Sequence, residues 1–130
     1  MGQPHENLVA WRRADDLCVA IYALARNRLP SDERFGLTAQ LKRAAHSVAA
    51  NIVEGYAFPE SRTRARYLRI AIASLAEVGY ALHLAQRVGY LQRSELRAFE
   101  EQMSMTAAPL RGLLKRSVAF SRGEDLPAGN

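Results

Sequence analysis

The sequence has little of what disulfide-bonded, secreted or membrane proteins require. Its 130 residues include one cysteine, Cys18, so no intrachain disulfide can form and a disulfide scaffold is excluded. No uninterrupted apolar run approaches the roughly 18 residues of a membrane span. The N-terminus, Met1–Glu6, lacks the basic segment followed by an apolar one that marks a signal peptide. We therefore expect a cytoplasmic protein with no membrane partner.

The motifs of several enzyme classes are also missing. No glutamate is followed three residues later by a histidine, the pair that carboxylate-bridged metal sites in helical bundles require. Neither Gly-x-x-x-x-Gly-Lys nor Gly-x-Gly-x-x-Gly occurs, and His5, His46 and His83 share no ligand spacing. We therefore predict no enzymatic activity, no catalytic residue, no metal site and no cofactor.

The composition is that of an ordinary globular domain. Apolar residues make up 48% of the chain and charged residues 24%, both common values for soluble proteins. A chain of this length buries roughly two-thirds of the surface that its unfolded form exposes, so it can fold without a metal or a disulfide. No internal repeat or change of composition divides residues 1–130, and we predict a single domain.

Apolar residues recur at helical spacing along four segments. Pro30, Pro59 and Gly89 lie in the breaks between them, where proline and glycine end helices, and Ser94 is the expected N-cap of the fourth helix. No segment shows the alternation of a strand, and short connections make successive helices antiparallel. We predict an all-α fold, an antiparallel up-down-up-down four-helix bundle. Its helices span about 9–26, 37–56, 61–88 and 94–120, and the tail 122–130 is frayed.

Two of the predicted helices carry more apolar side chains than one core-facing stripe needs. Val19 and Tyr22 widen the apolar surface of the first helix, and Ile70 and Tyr80 widen that of the third. Contiguous apolar residues exposed to solvent usually mark an interface. The pattern predicts self-association, with the alternative that these side chains are simply half-exposed.

Polar residues interrupt the apolar stripes of the second and third helices. Asn51 lies on the second stripe with Glu54 one turn later, and a buried carboxylate must be paired or neutralised. We therefore expect Arg43 to pair with Glu54 or with Glu77 of the third helix, in a network that fixes helix register. The alternative is that paired carboxylates perform acid–base chemistry. The predicted network comprises Arg43, Ser47, Asn51, Glu54, Ser74 and Glu77.

Arginine supplies most of the positive charge. Two of the 18 basic residues are lysine and the rest are arginine, against 13 acidic residues, which gives a formal net charge of +5. Arginine forms forked hydrogen bonds to phosphate, and the densest cluster stands at the start of the third helix, where backbone N–H groups also attract anions. Tyr56, Phe58 and Tyr67 are close in the sequence and can stack on unpaired bases. The predicted nucleic-acid-binding residues are Lys42, Arg62, Arg64, Arg66, Arg69, Arg111, Lys115 and Arg116.

Three segments carry a family resemblance: residues 34–45 (RFGLTAQLKRAA), 47–55 (SVAANIVEG) and 66–77 (RYLRIAIASLAE). Together they resemble the four-helix-bundle proteins encoded in intervening sequences of bacterial 23S rRNA genes. That family also includes the accessory variability proteins of diversity-generating retroelements. The resemblance extends over about 8–117, with Val53 and Pro109 as departures. It implies an antiparallel bundle that assembles as a ring-shaped homopentamer, and its retroelement members bind nucleic acid and associate with a reverse transcriptase.

Charge and resemblance together predict a function. A pentamer would carry five times the charge of one chain and therefore a strong positive field. We predict a non-enzymatic, homo-oligomeric accessory of a ribonucleoprotein that binds RNA or DNA with little sequence specificity, because no base-reading motif is present. A reverse transcriptase is an expected partner where the gene belongs to a retroelement. The alternatives are a protein-interaction scaffold whose charge is only a solvated surface and, more remotely, an enzyme.

Overall fold

Four long α-helices make up most of the computed structural model, which describes Gly2 and residues 4–123. Short 3-10 turns, Pro4–Asn7 and Ser31–Glu33, precede the first and second helices. No strand occurs within the described residues, which confirms the predicted all-helical fold. The helices are α1 (Val9–Arg28), α2 (Leu37–Gly55), α3 (Ser61–Arg87) and α4 (Arg93–Ser121), close to the predicted bounds. Of the tail that was predicted to fray, residues 124–130 lie outside the described part of the chain.

The helices pack so that each has two neighbours, as in a four-helix bundle. α2 packs against α1 and α3, and α4 packs against α3 and α1. Arg28, the last residue of α1, forms an ion pair with Glu95 in the first turn of α4, so these two helices run in opposite directions. Their apolar faces meet in one core. Each helix contributes a fully buried leucine: Leu17, Leu41, Leu68 and Leu110.

One described helix, α3, is long and apolar enough to cross a membrane by length and composition. That is weak evidence, because a core helix of a soluble protein passes the same test. The apolar stripe of α3, which includes Leu75 and Leu82, is buried in the core against α2 and α4.

The carboxylate of Glu33 connects the start of α2 to the connection between α3 and α4. Its Oε1 accepts a hydrogen bond from the backbone N–H of Leu37 at 3.1 Å, and its Oε2 accepts one from the Tyr90 hydroxyl at 2.9 Å. A Cβ on Gly36 would lie 2.8 Å from Glu33 Oε1, so glycine leaves the space that this carboxylate occupies. The hydrogen bond to Glu33 raises the pKa of Tyr90, because the carboxylate favours the neutral phenol.

The start of α4 differs from the prediction. The helix begins at Arg93, and its N-cap is Gln92 rather than Ser94. Glu95 decides this position, since its Oε1 accepts the backbone N–H of Gln92 at 2.9 Å, as the third residue of a capping box does. The other carboxylate oxygen of Glu95 pairs with Arg28. One side chain therefore caps the start of α4 and joins this helix to α1. Further along, α4 continues through Pro109, and the bend that this proline predicts remains a prediction.

We expect Glu33→Ala to lower the free energy of unfolding by about 1.5–3 kcal/mol, the usual contribution of a hydrogen bond to a charged group. Chemical denaturation measures this change. Asp32→Ala is the matched control, because Asp32 is exposed and accepts no hydrogen bond from the part of the chain that the structure describes. We expect it to change stability by less than about 0.5 kcal/mol. Equal losses in the two variants would contradict the capping role of Glu33.

The same variant has a second readout, the titration of Tyr90. Since Glu33 raises the pKa of this phenol, the Tyr90–Glu33 contact stabilises the fold at neutral pH and is lost as the pH rises through the tyrosine pKa. In Glu33→Ala the pKa of Tyr90 should fall towards its ordinary value. Ultraviolet titration of the wild type, the variant and Tyr90→Phe assigns the shift, and an unchanged titration curve would rule the contact out.

Candidate nucleic-acid interface

The connection between α2 and α3 brings an arginine and a tyrosine together at one end of the bundle. The Arg64 guanidinium carbon lies 4.2 Å from the centre of the Tyr56 ring, a cation–π contact. One nitrogen of this guanidinium, Nη2, donates to the backbone oxygen of Phe58 at 3.4 Å. Arg64 Nε is buried and has no hydrogen-bond partner. Arg64 therefore packs partly into the end of the bundle and organises the connection.

The C-terminal half of α4 reaches the same end. Burial raises the pKa of Tyr56, and nearby Arg64, Arg116 and Ser117 oppose that effect. Arg116 is far from Arg64 in the sequence, yet both guanidinium groups act on the same phenol. The structure therefore brings together two of the predicted nucleic-acid-binding residues from α3 and α4.

Three further arginines of α3 point outward beside an aromatic pair. Arg62, Arg66 and Arg69 are exposed. The Phe58 and Tyr67 rings stack with centres 6.2 Å apart and planes 6° from parallel, and the Arg66 guanidinium lies 5.4 Å from the Tyr67 ring. Within residues 4–123 the sole ion pair joins Arg28 to Glu95, so none of these three arginines is neutralised by a carboxylate.

The remaining predicted basic residues lie elsewhere. Lys42 is near the start of α2, at the opposite end of the bundle, with its Nζ 4.7 Å above the Tyr22 ring. Arg111 and Lys115 are exposed on α4, and Arg111 lines a groove of about 390 Å³ between α3 and α4. The eight predicted residues thus do not form one surface.

Lys42 instead shares a pocket with Arg26 and Arg34, which were not predicted as site residues. Arg26 is near the end of α1 and Arg34 is in the connection between α1 and α2. No spacing rule groups them with Lys42, because the chain folds back between them. The sequence nevertheless held one indication of this site. Arg34 is followed by Phe35 in the connection between two helices, where the core does not need a large apolar residue.

The polar network forms only in part. The Ser47 and Ser74 hydroxyls are 2.7 Å apart and join α2 to α3. The amide nitrogen of Asn51 donates to the backbone oxygen of Ser47 at 2.8 Å and to its hydroxyl at 3.0 Å. These three residues therefore satisfy one another at the margin of the core.

The predicted ion pairs of Arg43 with Glu54 or Glu77 do not form. All three side chains are exposed, and none takes part in an ion pair among the described residues. Glu54 is two residues after the fully buried Ile52, about 200° around the helix, so it points away from the core. A carboxylate in water keeps its hydration and needs no buried partner. The prediction is wrong because Glu54 lies beside the apolar stripe of α2 and not within it.

Other candidate groups show no activated chemistry. Burial is the main cause that raises the pKa of the half-buried Cys18 thiol, and the charge of Asp15 adds to it. A raised pKa keeps the thiol protonated at neutral pH, which is the opposite of what a nucleophilic cysteine needs. The part of the chain that the structure describes contains no group of three or more side chains placed to hold a metal ion.

Fold and surface define this chain as an all-helical bundle with unpaired arginines at one end. Comparison with known proteins gives the family. The chain belongs to the 23S rRNA-intervening sequence protein family, whose model matches residues 6–112, and the predicted resemblance is confirmed. No curated protein is significantly similar to this sequence.

A solved structure supports the fold. The chain is similar to a protein of unknown function from the S23 ribosomal protein family of Bacteroides thetaiotaomicron, with a TM-score of 0.76 and 22% sequence identity. The match covers 82% of this chain and 96% of that one. At this level of identity the likeness shows the shared fold and nothing about a ligand.

We expect Asn51→Ala to lower the free energy of unfolding by about 1–2 kcal/mol, because Ser47 loses the two hydrogen bonds that the Asn51 amide donates. Glu54→Gln is a suitable comparison on the same helix, since this exposed side chain is unpaired, and we expect a change within about 0.5 kcal/mol. Thermal and chemical denaturation of both variants measure the difference. A larger loss from Glu54→Gln than from Asn51→Ala would mean that the carboxylate has a structural role after all.

Proposed function

We propose that this protein is a non-enzymatic, nucleic-acid-binding accessory of a ribonucleoprotein, and that it binds single-stranded RNA with little sequence specificity. The observation that carries this proposal is the group of exposed, unpaired arginines at the start of α3, next to the Phe58–Tyr67 pair. We call this surface, formed by Phe58, Arg62, Arg66, Tyr67 and Arg69, the arginine face.

Charge favours a phosphate backbone as the ligand of the arginine face. Guanidinium groups bind phosphate through paired N–H donors, and release of counterions from the nucleic acid adds to the binding free energy. Arg62, Arg66 and Arg69 need no rearrangement of ion pairs before they bind, because they form none within residues 4–123. The net charge of +5 also favours an anionic partner.

Aromatic side chains favour unpaired bases over duplex nucleic acid. The Phe58 ring is 45% exposed and can stack on a base, whereas the Tyr56 ring is covered by Arg64. Stacking on a ring tolerates any base, since every base has a π-face. The arginine face has no array of side chains suited to read base edges, which is why we expect little sequence specificity.

The family name supports an RNA context without naming a ligand. It refers to intervening sequences of 23S rRNA genes, and no activity is attached to it. Where the gene stands beside one for a reverse transcriptase, that enzyme is the expected protein partner. A protein-interaction scaffold is the second candidate function, and it is favoured by the exposed apolar side chains of Val19, Tyr80 and Phe120.

We also propose that copies of this chain associate into a ring through two different surfaces. The first is an outward strip of α1 that carries Asp15 and Val19, with Val19 65% exposed. The second is the groove between α3 and α4, which has Ile72 and Met103 among its apolar walls and Arg111 at its rim. Val19 can enter the groove of the next copy while Asp15 pairs with Arg111, since neither of these two charges forms an ion pair among the described residues of one chain.

Contact between two different surfaces repeats from copy to copy and closes into a ring when the rotation permits. The ring shape is therefore favoured by this pairing of surfaces. The number of five copies comes from the family resemblance, and the residues of one chain do not determine it.

Replacing Arg62, Arg66 and Arg69 together by glutamine should weaken RNA binding. Fluorescence anisotropy of a labelled single-stranded RNA at about 50 and 200 mM salt measures affinity and salt dependence, and the slope of log K against log salt should fall by about two. The matched control replaces Arg13, Arg87 and Arg97, which removes the same charge from exposed arginines outside the arginine face. Equal weakening in both triple variants would refute the arginine face as the binding surface. No binding at the lower salt concentration would remove the nucleic-acid function and favour the scaffold.

Val19→Asp should reduce the mass of the assembly, because it places a carboxylate against the apolar walls of a groove that Glu100 also lines. Light scattering after size-exclusion chromatography measures the mass. Val88→Asp is the control, since Val88 is 53% exposed and lies outside both surfaces. Asp15→Arg and Arg111→Asp should each weaken assembly by like-charge repulsion, and the double variant should restore it. A wild-type protein that is monomeric at high concentration would refute self-association.

A further inference from the structure

A basic pocket lies at the end of the bundle opposite the arginine face. Its volume is about 380 Å³, and it opens between the end of α1 and the start of α2. Arg26, Arg34 and Lys42 line it, and no carboxylate does. Lys42 is about 20 Å along the α2 axis from Gly55, at 1.5 Å per residue, so this pocket and the arginine face are separate sites.

The three cations line one pocket, and none of them forms an ion pair among the residues that the structure describes. The Tyr22 ring faces Lys42 Nζ at 4.7 Å and holds the half-buried lysine at the pocket. The adjoining connection holds two carboxylates: Glu33 accepts hydrogen bonds from Leu37 and Tyr90, and Asp32 does not line the pocket. Like charges gathered without a counter-charge repel one another, and a bound anion would remove that repulsion.

The other walls of the pocket suit an ester rather than a bare ion. Ser31 and Thr38 supply hydroxyl groups, which can donate to phosphate oxygens. Leu29 and Pro30 supply an apolar wall, which a free phosphate would leave uncovered. A ligand with a phosphate at one end and an organic group at the other satisfies both parts.

An unusually exposed aromatic ring stands next to the pocket. Phe35 is 88% exposed, more than any other large apolar side chain among the described residues. Its neighbour Arg34 lies with its guanidinium carbon 5.2 Å from the ring centre, so Arg34 belongs to both the pocket and this platform. A nucleobase can stack on an exposed phenylalanine or on the plane of an arginine.

We infer that this pocket binds the 5′-phosphate of a nucleotide, with the phosphate among Arg26, Arg34 and Lys42 and the base on Phe35. The same chemistry is offered by a free mononucleotide and by the phosphorylated 5′ end of an RNA strand. This inference goes beyond the proposed RNA binding and does not depend on it, since none of the residues of the arginine face takes part.

Isothermal titration calorimetry with 5′-AMP, adenosine and inorganic phosphate at low salt tests the inference. We expect 5′-AMP to bind more tightly than either fragment, because it alone uses both the cations and the platform. Lys42→Gln should lower the affinity for 5′-AMP at least about tenfold, the usual effect of losing a hydrogen bond to a charged group. Lys115→Gln removes the same charge from the other lysine of the chain, on α4, and should leave binding unchanged.

Phe35→Ala separates the platform from the anion site. This variant should weaken the binding of 5′-AMP and leave the binding of inorganic phosphate unchanged, whereas Arg34→Gln should weaken the binding of both. Circular dichroism checks that each variant is folded, and the exposed position of Phe35 makes a folding defect in Phe35→Ala unexpected.

Three results would overturn the inference. They are no heat of binding with 5′-AMP at millimolar concentration, equal weakening by Lys42→Gln and Lys115→Gln, and inorganic phosphate binding as tightly as 5′-AMP. Replacement of the three arginines of the arginine face distinguishes the two sites, since it should weaken binding of internal RNA and leave binding of 5′-AMP unchanged. Competition by 5′-phosphorylated but not 5′-hydroxyl RNA would identify the RNA end as the source, and lack of competition by either would identify the free nucleotide.

Discussion

The close approach of α2 to α3 is the constraint on which the rest of this structure depends. A Cβ on Gly55 would lie 3.4 Å from the Arg64 backbone oxygen and 3.3 Å from the Tyr67 Cβ, so a larger residue would push the helices apart. Midway along the same interface the hydroxyls of Ser47 and Ser74 meet at 2.7 Å. Small residues at both levels let the chain turn tightly after α2, and the turn places the first arginines of α3 beside aromatic rings.

Charge is spread over the outside of the bundle and is scarcely used to hold it together. The helices are joined by an apolar core, and the single ion pair of the described residues lies at one end of α1. Exposed ion pairs add little stability, so their scarcity costs the fold little. What it does change is the surface, because the cations of the arginine face and of the basic pocket form no ion pair among the described residues.

Much of the fold was predictable because local rules and global packing agree. Apolar spacing, together with Pro30, Pro59 and Gly89 in the breaks, located four helices close to their observed bounds. The errors arose where neighbouring side chains compete for one position. Glu95 accepts a hydrogen bond from the backbone of Gln92, and this shifts the start of α4. Glu54 is exposed to solvent, although Asn51, one turn earlier, lies at the margin of the core. A rotation of one residue, about 100° around a helix, is enough to exchange burial for exposure.

The sequence by itself determined the helices, the apolar stripes, the excess of arginine and the family, since each is a property of residue types and their spacing along the chain. Only the tertiary structure decided which basic residues lie close together. It joined Arg64 to Arg116 around Tyr56, and it separated Lys42 from them and placed it with Arg26 and Arg34. The reason is physical: groups that bind one ligand must be close in space, and in a bundle that closeness comes from how antiparallel helices pack rather than from their order in the chain.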